Sequence, residues 1–160
     1  MILLSCSKAV LEKFDVNVVS SSPLVSSTDW HRFWRVDLRR IKGVGEVLFF
    51  TNKETLYTLV ADPRGIRDAS ALEQQFLLRL RLLFDGNLGF TSNSGESVLM
   101  HRAADQSLQG SINSFFRIID SSSSVPAFDD LEPWLNSFPA ASREFRSPKE
   151  MLQKRLRKTA

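Results

Sequence analysis

The sequence predicts an α+β fold in which a mostly antiparallel sheet is packed by helices. Three observations carry that prediction. Residues 33–60 hold three consecutive β-rich runs separated by short polar or glycine-bearing connections, the pattern of a meander. Leu72, Phe76, Leu80, Leu83 and Phe84 then recur at three- and four-residue spacing, as on one face of a helix. Short apolar runs near residues 2–6 and 97–102 add a strand on either side of these elements. The predicted order is β-α-β-β-β-α-β, followed by a helical C-terminal part.

Taken in order, the run Ile2 to Cys6 is too short for a helix and reads as a buried strand. Ser7 can cap a helix whose apolar face is Ala9, Val10, Leu11 and Phe14. Residues 15–29 are serine-rich and read as a loop, with a short extended piece at 16–19. In the first meander strand Trp34, Val36 and Leu38 fall on one face and Arg35, Asp37 and Arg39 on the other, which predicts one packed and one wet face. Residues 47–50 are apolar throughout and predict a central strand, while 55–60 place Leu56 and Val60 opposite Tyr57 and Leu59.

Ser70 with Glu73 has the spacing of a capping box opening a helix over 71–84, stopped by residues 85–87. Residues 91–96 are turn-forming. Residues 106–119 show a helical stripe of Leu108, Ile112, Phe115, Phe116 and Ile119, interrupted by Gly110, which predicts close approach of another element there. A serine linker at 121–124 leads to a helix through Phe128, Leu131, Trp134, Leu135 and Phe138, where Pro133 requires a first-turn position. Ser147 before Pro148 opens a last helix. We read 1–160 as one domain, with a sheet-and-helix core over 1–120 and the linker and C-terminal helices over 121–160.

The chain has 160 residues, a length at which folding buries roughly 70% of the unfolded surface. Twelve phenylalanines against one tyrosine favour core packing over an aromatic recognition surface. The net charge of +3 is uneven: residues 143–160 carry 7 Lys and Arg against 2 acidic residues, and the remainder is slightly acidic. A single cysteine, Cys6, allows no internal disulfide and reads as buried and inert. The N-terminus has no basic segment ahead of its short apolar run, and no run approaches the ~18 residues needed to span a bilayer. These features predict a cytoplasmic protein with no membrane partner.

Cys6-Ser7-Lys8 before a helix, Trp30, Arg39-Arg40 leading into an apolar strand that ends at Asn52, and the late segment from Ser107 through Gly110-Ser111-Ile112-Asn113 together resemble a family of small bacterial domains of unknown function. That family is similar in its Cys-Thr-Lys start, its tryptophan before a strand, its paired basic step and its Gly-Ser-Met-Asn segment. Ser7 and Ile112 depart from it. The resemblance implies an accessory role, in a mobile-element setting, and supplies no catalytic residues; a cell-defence setting is a further expectation.

Chemistry-bearing motifs are absent. Two distant histidines and one cysteine do not make a typical zinc site, and neither a nucleophile elbow nor a phosphate loop occurs, so no metal or cofactor is expected. The candidate binding residues are Trp30 and His31 at the meander entry, Arg39 and Arg40 on opposite faces of its first strand, and Gly110 with Asn113. His31, Arg39 and Asn113 converging in a pocket would make a small enzyme, whereas His101 on a strand reads as structural. Lys149, Lys154, Arg155, Arg157 and Lys158 form a basic tail that could meet nucleic-acid phosphates. A protein partner is the leading expectation, with nucleic acid as the alternative and a homo-oligomer through an open meander edge as a further one.

Overall fold

The computed structural model describes residues 1–18, 29–85, 88, 95–140 and 143–159. Strands β1 (Ile2–Cys6), β2 (Phe33–Ile41), β3 (Gly45–Asn52), β4 (Thr58–Ala61) and β5 (Val98–Arg102) form one sheet in the order β4-β3-β2-β1-β5. The described helices are α1 (Lys8–Lys13), α2 (Ala69–Phe84), α3 (Gln106–Ser121), α4 (Phe128–Leu135) and α5 (Pro148–Thr159), and one 3-10 turn, Trp30–Arg32, precedes β2.

The α+β class stands, but the sheet is mixed rather than mostly antiparallel. The meander pairs β2 with β3 and β3 with β4 antiparallel, as its short turns require. β1 runs parallel to both its neighbours, β2 and β5. Each parallel neighbour is reached through a connection that contains at least one helix, which is what returning the chain to the same end of a sheet demands.

Alternation along the strands feeds two cores. Leu4, Cys6, Trp34, Val36, Leu48, Phe50 and Leu59 face one side, where Val10 of α1, Leu72, Phe76 and Leu80 of α2 and Leu152 of α5 cover them. Val47, Phe49, Leu56 and Val60 face the other, beneath Leu108, Ile112, Phe115 and Phe116 of α3 and Leu131 and Leu135 of α4. Tyr57 and Leu59 lie opposite Leu56 and Val60, as period-two alternation predicts.

The supposed wet face is the main correction. Arg35 and Asp37 are each 5% exposed, because the apolar stripe of α3 takes that face of the sheet as its partner. Their charges survive burial as a bidentate pair, Arg35 Nε to Asp37 Oδ2 at 2.9 Å and Nη2 to Oδ1 at 3.1 Å.

Helix ends bring smaller corrections. The cap of α2 is Asp68, whose carboxylate accepts the Ala71 N–H, so Ser70 lies inside the helix and Glu73 accepts from Val98 N–H instead. A capping box does occur, at the start of α5: Ser147 and Glu150 exchange bonds, with Ser147 N–H donating to Glu150 Oε2 at 2.7 Å and Glu150 N–H to Ser147 Oγ at 3.3 Å. Ser7 stands at the N-cap of α1 without a side-chain capping bond. Pro133 sits beyond the first turn of α4, tolerated because so short a helix forfeits a single bond near its end. β4 starts only at Thr58, since the chain turns through residues 53–57 with Leu56 in the left-handed region at φ 60°.

The meander edge offered for pairing with a second copy is bonded at both main-chain groups of Thr58 and at the Val60 N–H. Asn136, just after α4, receives the Thr58 N–H on Oδ1 and donates Nδ2–H to the Thr58 carbonyl, both at 2.8 Å, and Glu132 accepts the Val60 N–H at 2.8 Å. A side-chain amide here does what a neighbouring strand would do. The residues read as an extended piece at 16–19, a stop at 85–87 and a turn at 91–96 lie in part outside the described residues.

Candidate functional site

Register builds the site from the sheet upward. Ser5 on β1 lies directly beside Arg35 on β2 and His101 on β5, giving a polar row across three strands on the α3 side. Leu3 and Phe33, also in register, add an apolar floor beside the row. The first turn of α3 supplies a wall through Asp105 and Leu108, and Lys53 from the β3–β4 turn stands across from it. Together they enclose a cleft of about 580 Å³.

The polar groups of this cleft are largely spent on one another. The Ser5 hydroxyl lies 3.0 Å from His101 Nε2, and His101 Nδ1 lies 3.2 Å from the Arg102 carbonyl. With the proton on Nδ1 donated to that carbonyl, Nε2 is left to accept from Ser5. Asp105 caps α3 by accepting the Leu108 N–H at 3.0 Å and pairs with Lys53 Nζ at 2.7 Å. The Leu108 bond first, then Lys53, holds the Asp105 carboxyl below the usual carboxylate range. Behind the row, Arg35 also donates to Gln109 Oε1, and Gln109 Nε2 donates to Asn113 Oδ1 at 2.8 Å, which ties α3 to the sheet.

The residues singled out in the sequence scatter over the molecule. Trp30 and His31 are buried, with their rings edge-on to each other and to Phe84 at the end of α2. Burial, then the neighbouring Arg32, depresses the His31 pKa, which favours the neutral ring. Arg39 lies on the opposite face, its guanidinium 4.0 Å from the centre of the Phe116 ring of α3. His31 and Arg39 therefore pack against helices on opposite sides of the sheet, and Asn113 lies on α3, the helix whose Phe116 meets Arg39. Arg40 is exposed, opposite Glu46 in the β2–β3 register.

Among the described residues Gly110 does not serve close packing, because a Cβ built there meets none of them within 4 Å. It lies on the outer side of α3, in a second groove of about 600 Å³ shared with Ser111, Ser114 and Ala140. In the tail, Arg155 is paired with Glu54 and also lies against the body, whereas Lys149, Arg157 and Lys158 are exposed and Lys154 is half-buried. The Cys6 thiol, pushed up to about 12 by burial and then by Asp37, stays protonated.

Ser5, Lys53 and Asp105 are the cleft residues that sequence reasoning missed. Only Asp105 had a local signal, an N-cap position ahead of the α3 stripe. Among the described residues no group of three His, Cys, Asp or Glu side chains gathers as a metal site would require, and no helix is long and apolar enough to cross a membrane.

No curated protein matches the chain, and no solved structure matches it. A family model does, over residues 3–151, spanning β1 through the first turn of α5 and so including the whole cleft. The chain belongs to that family, described as a domain of unknown function, DUF6933.

Proposed function

We propose that the chain is a non-enzymatic binding protein that engages a protein partner at the cleft over β1, β2 and β5. One observation carries the reading: the cleft has an apolar floor, Leu3 and Phe33, and its Lys53 is paired with Asp105, which leaves exposed Arg102 as the lining charge without an ion-pair partner among the described residues. A pre-formed hollow with an apolar floor and one unpaired cation in its lining suits an apolar anchor side chain of a polypeptide better than a highly charged small molecule. The Ser5 and His101 edge of the hollow supplies hydrogen bonds for orientation. No cofactor enters this reading.

Ala104 lines the cleft, is exposed and belongs to neither core, so Ala104→Trp fills the hollow without removing a core side chain. A photo-crosslinking residue at position 18, where exposed Val18 also lines the cleft, is expected to trap a partner of discrete mass in cells, whereas the same residue at exposed Leu82 on α2 is not. Recovery of that partner should fall at least tenfold with Ala104→Trp. Equal recovery from the variant would remove the cleft as the docking site.

The Ser5–His101 contact favours a second reading, a small enzyme with a serine nucleophile. Its test is a fluorophosphonate probe. Ser5 Oγ would attack phosphorus and expel fluoride while His101 Nε2 takes the hydroxyl proton, and the adduct would vanish in Ser5→Ala. The binding reading expects no adduct on Ser5.

A further inference from the structure

The two edges of the sheet are treated differently. The β4 edge is sealed by Asn136 and Glu132, as described above. At the other edge, Ile2 N–H donates to the Ser97 carbonyl and Ala103 N–H to the Cys6 carbonyl, so the odd-numbered residues 97–103 turn their main-chain groups toward β1. Val98, Met100 and Arg102 therefore turn theirs outward. Val98 N–H is taken by Glu73 Oε1 at 3.3 Å and the Arg102 carbonyl by the His101 ring, but no described residue bonds the outward N–H or C=O of Met100.

The charges along this edge are complementary to themselves. Val98 and Met100 belong to the core on the α2 side, and alternation puts Arg102 on that same face. Arg102 is exposed, and among the described residues neither it nor Glu73 has an ion-pair partner. Glu73 marks the Val98 end of the strand and Arg102 the other end, about 13 Å away at 3.3 Å per residue, too far to meet within one chain.

We propose that two copies of the chain pair through β5, antiparallel about a twofold axis at Met100, to continue the sheet across the interface. In that register Val98 of one copy faces Arg102 of the other, which brings each Arg102 guanidinium to the partner copy's Glu73 carboxylate. The Met100 N–H and C=O bond reciprocally, Arg102 N–H donates to the opposing Val98 carbonyl, and Val98 N–H keeps Glu73. A twofold axis makes this contact self-complementary and closed. The contact uses the α2 side of the edge, and because Arg102 also lines the cleft, Glu73→Arg is the charge reversal that leaves the cleft lining unchanged.

Sedimentation equilibrium of the full chain is the test, with a dimer expected at micromolar concentration. Arg102→Glu alone and Glu73→Arg alone should each weaken dimerisation at least tenfold, and the two together should restore it, because the charges are exchanged rather than lost. Amide exchange supplies a readout on the unaltered chain: protection of Met100 and Arg102 should rise with protein concentration. A monomer at all concentrations overturns the proposal. So does a dimer indifferent to both charge reversals, or one that the double exchange fails to restore.

Discussion

Replacing Asn52 by alanine is expected to destabilise the protein by ~3 kcal/mol, because buried hydrogen-bonding groups left unpaired cost about 1–3 kcal/mol each. Asn52 is fully buried at the end of β3. Its Nδ2 donates to the Trp30 carbonyl at 3.0 Å and the Phe33 carbonyl at 3.2 Å, which anchors the 3-10 turn and the start of β2. Its Oδ1 accepts the N–H groups of Glu54 at 3.1 Å and Thr55 at 2.9 Å and the Thr55 hydroxyl at 3.0 Å, which folds the chain toward β4. Through that turn Asn52 also pays for Leu56, which is buried at positive φ, a conformation costing ~1–2 kcal/mol for a residue with a Cβ.

Thermal unfolding checks this directly. For a chain of this length ~3 kcal/mol corresponds to a fall in Tm of about 6–12 °C. Thr55→Val, which removes one of the Asn52 bonds and the acceptor of the Tyr57 N–H at 3.2 Å, should cost a smaller ~1–2 kcal/mol. A Tm within 2 °C of the parent for Asn52→Ala, on the order of 1 kcal/mol or less by the same conversion, would mean that water replaces the side chain and that the turn is held otherwise.

Asn52 also shows which parts of the molecule are legible in sequence. It marks the end of the apolar run of β3 and the start of a polar turn, and local chemistry of that kind reads well: the meander, the α3 stripe and the Ser147-Pro148 helix start were all visible. The five contacts of its side chain were not, because two of them reach back about twenty residues to Trp30 and Phe33. Strand direction fails for the same reason. β1 gives no local sign of lying parallel between β2 and β5, since its register is set by helical connections.

The cleft is the extreme case. Ser5 and His101 are 96 residues apart and meet only because β1 and β5 pair in that register. Arg35 and Asp37 misled in a more instructive way. Two opposite charges at positions i and i+2 share one strand face, so their spacing is as compatible with a buried mutual pair as with solvent. The pattern that could have decided between them was the α3 stripe, an apolar face in need of a partner after α2 had taken the other side of the sheet.

Asn136→Ala should open the β4 edge. The side chain is 1% exposed and holds both main-chain groups of Thr58 as well as donating Nδ2–H to the Glu132 carbonyl at 2.9 Å. Loss of these bonds is expected to cost ~2–3 kcal/mol. Stability alone would not distinguish an edge seal from any other buried amide. Amide exchange does: Thr58 N–H should lose at least tenfold of its protection beyond the global change, while Val60 N–H, still held by Glu132, should follow the global change alone. Asn136→Asp separates the two halves of the seal, since it keeps the acceptor for Thr58 N–H and removes the donor to the Thr58 carbonyl. The double variant Asn136→Ala with Glu132→Ala frees both N–H groups and should aggregate at concentrations where the parent scatters no light, because an unsealed edge is a template for further strands. If the double variant stays clear and Thr58 keeps its protection, α4 shields β4 by bulk alone. Scattering that appears only when the seal is removed would also show that the β5 edge, present in both proteins, pairs in a closed way and not as an open-ended template.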